Sequence, residues 1–259
     1  MSTVTQRIRE IRQPRGGYIK PSQFAARVLD DGKTLAEQEN IHPSIAGLSV
    51  DYLTRYFMGA AVEDAFSISI RGAQMASAMT HSNTEKTVRE LLSGIRGTDD
   101  ASIVNACKMT TFDVWYRSPM TAFQVRTAKD TNPNADTIAN IRVMLQRSLD
   151  FWKEYGPITK DGFTFEDDGY TETVDSGDGD FLTKDTLWDF KVSKSKPTNK
   201  HTLQLLMYWI MGQHSGKPEF QGITKLGIFN PRLNTVYTLE MSQVPAETIR
   251  AVENNIICY

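Results

Sequence analysis

The chain has 259 residues, with 29 Lys and Arg against 31 Asp and Glu, a formal net charge of -2, and 40% hydrophobic residues. That composition supports a sizeable core in one large domain or two small ones, and it excludes a whole-molecule attraction to nucleic acid or anionic lipid, so any phosphate-binding surface has to be local. The two cysteines, Cys107 and Cys258, exclude a disulfide framework, a four-thiolate zinc site and an iron–sulfur cluster.

Residues 1 to 40 hold seven basic residues, Arg7, Arg9, Arg12, Arg15, Lys20, Arg27 and Lys33, with turn formers at Pro14, Gly16 and Gly17. Acidic residues dilute the charge, so the segment reads as an irregular basic arm packed on the main body rather than a nucleic-acid-binding tail. Residues 41 to 157 read as a mainly helical region packed on the core that follows. Ser44 or Ser49 can cap a helix through Tyr52, Leu53, Tyr56 and Phe57; Thr84 opens a second over 84–95. Ile138, Ile141, Leu145, Leu149 and Trp152 recur at three- and four-residue steps over 136–155, and Gly156 and Pro157 close that helix.

Beyond Pro157 the period changes. Short runs rich in β-branched and aromatic residues predict strands over 163–166, 170–174, 179–182, 187–192, 226–230 and 235–240, with one strong helix over 199–212. Residues 158 to 259 therefore form the expected core, and the whole reads as an α/β protein with a mixed central sheet and a mainly helical N-terminal half. No run of apolar residues is long enough to span a bilayer and no leader is evident, so the expected location is a reducing cytoplasm, with no membrane partner.

The chemistry concentrates between Ser176 and Gly212. Ten acidic residues and only Lys184 as a base lie between Asp161 and Asp189, whereas Lys191, Lys194, Lys196 and Lys200 follow with no acid among them. An acidic cluster beside a basic one suits a site that holds a divalent cation and a phosphate together. Alternation along a strand puts Asp189 and Lys191 on one face and Trp188, Phe190 and Val192 on the other. A hairpin turn near Lys184 and Asp185 would bring Asp180 beside Asp189. Two carboxylates, with the backbone carbonyl of Phe190, water and a scissile phosphate, are a hard-oxygen set for Mg²⁺ or Mn²⁺. Lys191 is then placed to orient water or stabilise charge on the phosphorane. Gln204 and Tyr208, four residues apart on the following helix, share a face.

Other readings fail on spacing. From Asp175 the twelfth residue is Thr186, where a calcium-binding EF-hand loop needs glutamate. The four histidines, His42, His81, His201 and His214, are too scattered for a zinc motif. Lys194, Lys196 and Lys200 are candidate phosphate contacts, with His201 ranked below them as a partly exposed helical residue.

The succession Gly177-Asp178-Gly179-Asp180, then Asp189-Phe190-Lys191, then Gln204 with Tyr208, resembles the G-x-x-D, D-x-K, Q-x-x-x-Y order of PD-(D/E)XK nucleases, particularly their RecB-type exonuclease branch. The match covers roughly the last third of the chain. The resemblance implies a restriction-endonuclease-like core, metal binding by Asp180 and Asp189, assistance to hydrolysis by Lys191, and a supporting role for Gln204 and Tyr208. It implies a deoxyribonuclease dependent on Mg²⁺ or Mn²⁺, without the iron–sulfur cluster of some members, acting on nucleic acid with DNA favoured over RNA. The acid often found on an early helix has Glu63 as its candidate. A catalytically silent nucleic-acid-binding module, or a protein-interaction scaffold, on the same fold is the alternative, and the modest charge leaves room for a homo-oligomer or a protein partner that presents substrate.

Overall fold

The computed structural model describes residues 2–166 and 168–259; Met1 and Asp167, a member of the acidic run, lie outside the described residues. The chain forms two compact units, one made of residues Met1–Asp30 and Phe151–Tyr259, the other of residues Asp31–Asp150. In chain order the elements begin with β1 (Ser2–Thr3), α1 (Val4–Glu10) and β2 (Ala25–Val28). The helices α2 (Pro43–Phe57), α3 (Val62–Ala65), α4 (Ser67–Thr80), α5 (Glu85–Ser93), α6 (Asp100–Thr110), α7 (Asp113–Arg117), α8 (Pro119–Ala122) and α9 (Ala135–Tyr155) follow. Then come β3 (Lys160–Phe163), β4 (Val174–Ser176), β5 (Gly179–Leu182), β6 (Thr186–Phe190), α10 (Asn199–His214), β7 (Lys225–Asn230), β8 (Thr235–Glu240) and α11 (Ala246–Val252).

The first unit is built on a six-stranded mixed sheet in the order β2-β8-β7-β6-β5-β3. Within this sheet, among the described residues, only β6 and β7 run parallel, and α10 is the crossover that such a pair requires. Strand alternation sorts the side chains to two faces. Leu182, Leu187, Leu226, Ile228 and Leu239 join a core with Leu203, Leu206 and Met207 of α10. Phe181, Trp188, Phe229 and Val236 join Phe151 and Trp152, from the last turns of α9, in a second, largely aromatic cluster. Gly227 is glycine for a reason of space, since a Cβ there would stand 2.3 Å from the Trp188 ring.

The irregular arm expected over residues 1–40 is corrected for residues 2–28, which carry β1, α1 and β2, while residues 29–40 hold no helix or strand. Val4 and Ile8, one turn apart on α1, are buried in the α10-side core, and Arg7 Nε donates to the Ile256 carbonyl at 2.9 Å. Residues 25–28 pair antiparallel with β8 and close one edge of the sheet. Expected result: Ile8→Ala lowers unfolding free energy by about 2–4 kcal/mol, the usual cost of a core cavity, read from urea unfolding. A loss under about 0.5 kcal/mol, as for a surface change, would restore the arm.

Several strand boundaries differ from expectation, and β6 stops at Phe190, short of the expected residue 192. The first β-run ends at Phe163 instead of starting there. Residues 170–173 make no strand and turn into β4 at Val174: Thr171 N–H donates to the Val174 carbonyl at 2.9 Å, and Thr171 Oγ1 accepts from the N–H groups of Thr173 and Val174. A hydroxyl that closes a turn on its own backbone outcompetes the β preference of the surrounding residues. Pairing resumes at β4, which lies parallel to β1.

In the helical unit, α2 starts one residue before Ser44, with His42 Nδ1 accepting the Ser44 N–H as its cap. Buried Asp113 receives hydrogen bonds from Tyr52, at 2.5 Å, and from Ser69, which ties α7 to α2 and α4. Among the described residues, no helix is long and apolar enough to cross a membrane.

Candidate active site

The hairpin of β5 and β6 sets the site. Phe181 pairs with Trp188 and Leu182 with Leu187, so one further step along the same antiparallel register puts Asp180 opposite Asp189. Opposed residues on neighbouring strands have Cβ atoms about 4.5–5.5 Å apart. Both aspartates share a face with Leu182 and Leu187, which is the α10 side. Asp180 Oδ2 accepts the Phe190 N–H at 2.7 Å, fixing that carboxylate across the hairpin. Just past the end of β6, Lys191 N–H donates to the Phe229 carbonyl. Its ammonium returns on the same face to Asp189 Oδ1 at 2.8 Å.

Asp189 is only 4% exposed, and its second oxygen, Oδ2, is buried with no hydrogen-bond partner. Burial is the largest influence on its carboxyl, pushing it up to about 6; Lys191 opposes the rise and Asp180 adds to it. For Lys191, burial favours the neutral amine, but Asp189, Asp180 and Asp178 outweigh it and the net shift is upward, so the ammonium stays charged. An unsatisfied buried carboxylate oxygen is costly. A hard cation is the chemical species that would satisfy it beside a second carboxylate, and the donor set fits Mg²⁺ or Mn²⁺ to that extent. Among the described residues no third His, Cys, Asp or Glu joins the pair as a metal-holding group.

The other candidates fall into three groups. Gln204 and Tyr208 do lie together on α10, but Gln204 Nε2 donates to Tyr208 Oη at 2.9 Å, whereas the described bond of Lys191 goes to Asp189. The Tyr208 phenol is held far above its ordinary range by burial first and then by Asp178, with Asp189 and Asp180 adding. Its ring packs on Phe165 at 5.4 Å, so the residue is at once core and floor of the acidic cluster. At Phe190 the described contact to the site is made by its N–H rather than its carbonyl. Glu63 sits exposed in the first turn of α3, in the other unit.

Lys194, Lys196 and Lys200 are exposed. His201 is half-buried, and its Nδ1 accepts the Thr198 N–H at 3.2 Å at the start of α10. Burial, then the Lys191 charge, lower its imidazole to about 4. At neutral pH it is therefore an uncharged helix-start residue and not a cationic phosphate contact. The sign follows: a depressed folded-state pKa contributes stability above the unfolded value of about 6.5, and that stability is lost as pH falls toward 4. His201→Asn is expected to flatten the drop in melting temperature across that window; an unchanged acid limb of the melting curve would contradict it.

Asp178 is the residue that motif reading passed over. It lies within the GDGD run, exposed, yet its charge reaches both Lys191 and Tyr208. Tyr170 Oη, donating to the Gly177 carbonyl at 2.8 Å, holds the loop that carries it. The only sequence signal was its place between two glycines ahead of Asp180. No protein-family model matches the chain, and no curated protein or solved structure matches it.

Proposed function

We propose that the chain is a metal-dependent nuclease with a PD-(D/E)XK-type core, hydrolysing phosphodiester bonds, in DNA before RNA, by water activated at Mg²⁺ or Mn²⁺. The observation that carries the reading is the meeting of Asp180, Asp189 and Lys191 on one face of adjoining strands, with Asp189 Oδ2 buried and unpartnered. Asp180 and Asp189 would hold the cation, with the Phe190 carbonyl, water and the scissile phosphate completing the shell. When bound, the ion supplies acidification of water and neutralisation of phosphate charge. Lys191 keeps its proton and offers a charged donor to the attacking water or to the non-bridging oxygens as negative charge grows. The Gln204–Tyr208 pair fills the floor beneath these groups and limits the water that reaches them.

A site that only bound nucleic acid would have no use for a buried carboxylate with an unpartnered oxygen, because that oxygen repels phosphate and costs folding energy. The test is incubation of the purified full chain with labelled single- and double-stranded DNA and RNA in Mg²⁺, Mn²⁺ or EDTA. Cleavage in either metal and none in EDTA is expected. Binding without cleavage under every condition would make the chain a silent module on this fold, and neither binding nor cleavage would leave a scaffold.

A further inference from the structure

We propose that the segment after α1 and the segment before α10 form a single cationic face that binds the phosphate backbone of the nucleic-acid strand, alongside the site described above. The proposal rests on the nuclease reading and extends it to a surface that motif reading separates into two unrelated stretches.

The packing joins them. Thr202 Oγ1, in the first turns of α10, donates to the Ile19 carbonyl at 2.7 Å. Gly17 lies so close to the start of α10 that a Cβ on it would stand 2.6 Å from Asn199 Cβ. Gly17 has φ +97 and Gly16 φ +90, a backbone that side-chain-bearing residues rarely adopt, and the Gly17 N–H closes a turn on the Pro14 carbonyl at 2.8 Å. The loop is thus a built feature pressed against the helix, and the stem of Lys20 lies along Gly16.

Charge follows the packing. From residue 11 to residue 29 there are basic residues and no acid, and the same holds from residue 190 to residue 217. In the whole chain the signs nearly cancel, at -2; within these two stretches they do not. Arg12, Arg15 and Lys20 are exposed on one side of the contact, and Lys194, Lys196 and Lys200 are exposed on the other. Exposed like charges on adjoining segments repel unless a polyanion meets them, and a phosphodiester backbone offers a line of negative charges. The face also borders the chemistry. The same first turn of α10 carries His201, within electrostatic reach of Lys191, and Ser193 of the lysine segment is tied to Asn230 of β7 through Asn230 Nδ2 and the Ser193 carbonyl at 2.8 Å.

The experiment measures affinity of the full chain for a labelled single-stranded oligothymidylate by fluorescence anisotropy in EDTA, across a salt titration. The variants are R12Q/R15Q/K20Q, K194Q/K196Q/K200Q, and K86Q/R89Q on α5 as a control for charge alone. Each of the first two is expected to weaken binding about tenfold or more at moderate salt and to reduce the salt slope by about 2 to 3, with the control unchanged. All six positions of the two test triples are exposed, and a melting curve of each variant checks that the fold survives. Wild-type affinity and slope in R12Q/R15Q/K20Q would overturn the joint face and leave the nuclease reading standing, since cleavage is scored separately. Loss of affinity equal in the control and the test variants would overturn it too. Failure of the wild-type chain both to bind and to cleave would remove the nuclease reading with it.

Discussion

Asp189→Asn is expected to abolish metal-dependent cleavage, by three orders of magnitude or more, while raising the melting temperature at pH 7. On the proposed function the rate loss follows from removing one of the two carboxylates proposed to hold the cation, since preorganised charge at a reacting phosphate is worth roughly 10²–10³ per group and cation affinity falls with it. The gain in stability follows from burial. Asp189 is held up to about 6 in the folded chain, above the value near 3.9 of an unfolded aspartate. A raised folded-state pKa contributes stability that is complete below pH 3.9 and is lost as pH rises through 6, so the ionised form at pH 7 is a strain that the neutral amide does not carry. The difference amounts to about 1–3 kcal/mol.

Two further readings come from the same variant. The stability gap closes toward pH 4, where the wild-type carboxyl is protonated. Mn²⁺ raises the melting temperature of the wild-type chain and not of Asp189→Asn, because a ligand stabilises only the state that binds it. Calorimetry at pH 4 and pH 7, with and without Mn²⁺, reads all of these together. A variant that melts well below wild type at pH 7 would make Asp189 a structural partner of Lys191, and surviving cleavage would end the catalytic assignment.

What could be read from the sequence was what the chain specifies locally. Alternation along residues 187–192 placed Trp188, Phe190 and Val192 opposite Asp189 and Lys191, and the aromatic cluster keeps that division for Trp188 and Phe190. Turn residues around Lys184 and Asp185 gave the hairpin, and hence the opposition of Asp180 and Asp189. The four-residue spacing of Gln204 and Tyr208 gave their contact, although not that they would bond each other.

The losses are of a different kind. Residues 25–28 become a sheet strand only because β8, more than two hundred residues later, offers its edge, and their own burial pattern is exposed throughout. Val4 and Ile8 look like two isolated apolar residues in a charged stretch until α10 covers them. His201 carries no local mark of being neutral, since that depends on its burial in the fold and then on the charge of Lys191, just past the end of β6. Long-range pairing and through-space charge leave no periodic trace.

Phe151→Ala is expected to lower unfolding free energy by about 3–5 kcal/mol, a large share of the roughly 5–15 kcal/mol that holds a domain folded. Phe151 is fully buried. Its ring stacks on Phe229 at 4.1 Å and meets Trp188 edge-on at 5.0 Å, so it is the contact through which α9 grips both β6 and β7. Phe190, next to Asp189, leans on Phe229 at 5.9 Å, and loss of Phe151 removes the support behind that strand. The carboxylates lie on the opposite face, held by the β5–β6 ladder and by the Phe190 N–H to Asp180. Cleavage measured well below the lowered melting temperature is therefore expected to stay within several-fold of wild type, while unfolding in urea shifts to much lower concentration. Phe151→Leu, which keeps most of the volume without the ring, should recover about half of the loss. A cost under about 1 kcal/mol would mean that the aromatic cluster is not the packed layer behind β6, and a collapse of activity at full stability would mean that the cluster, and not the ladder, sets the position of Asp189.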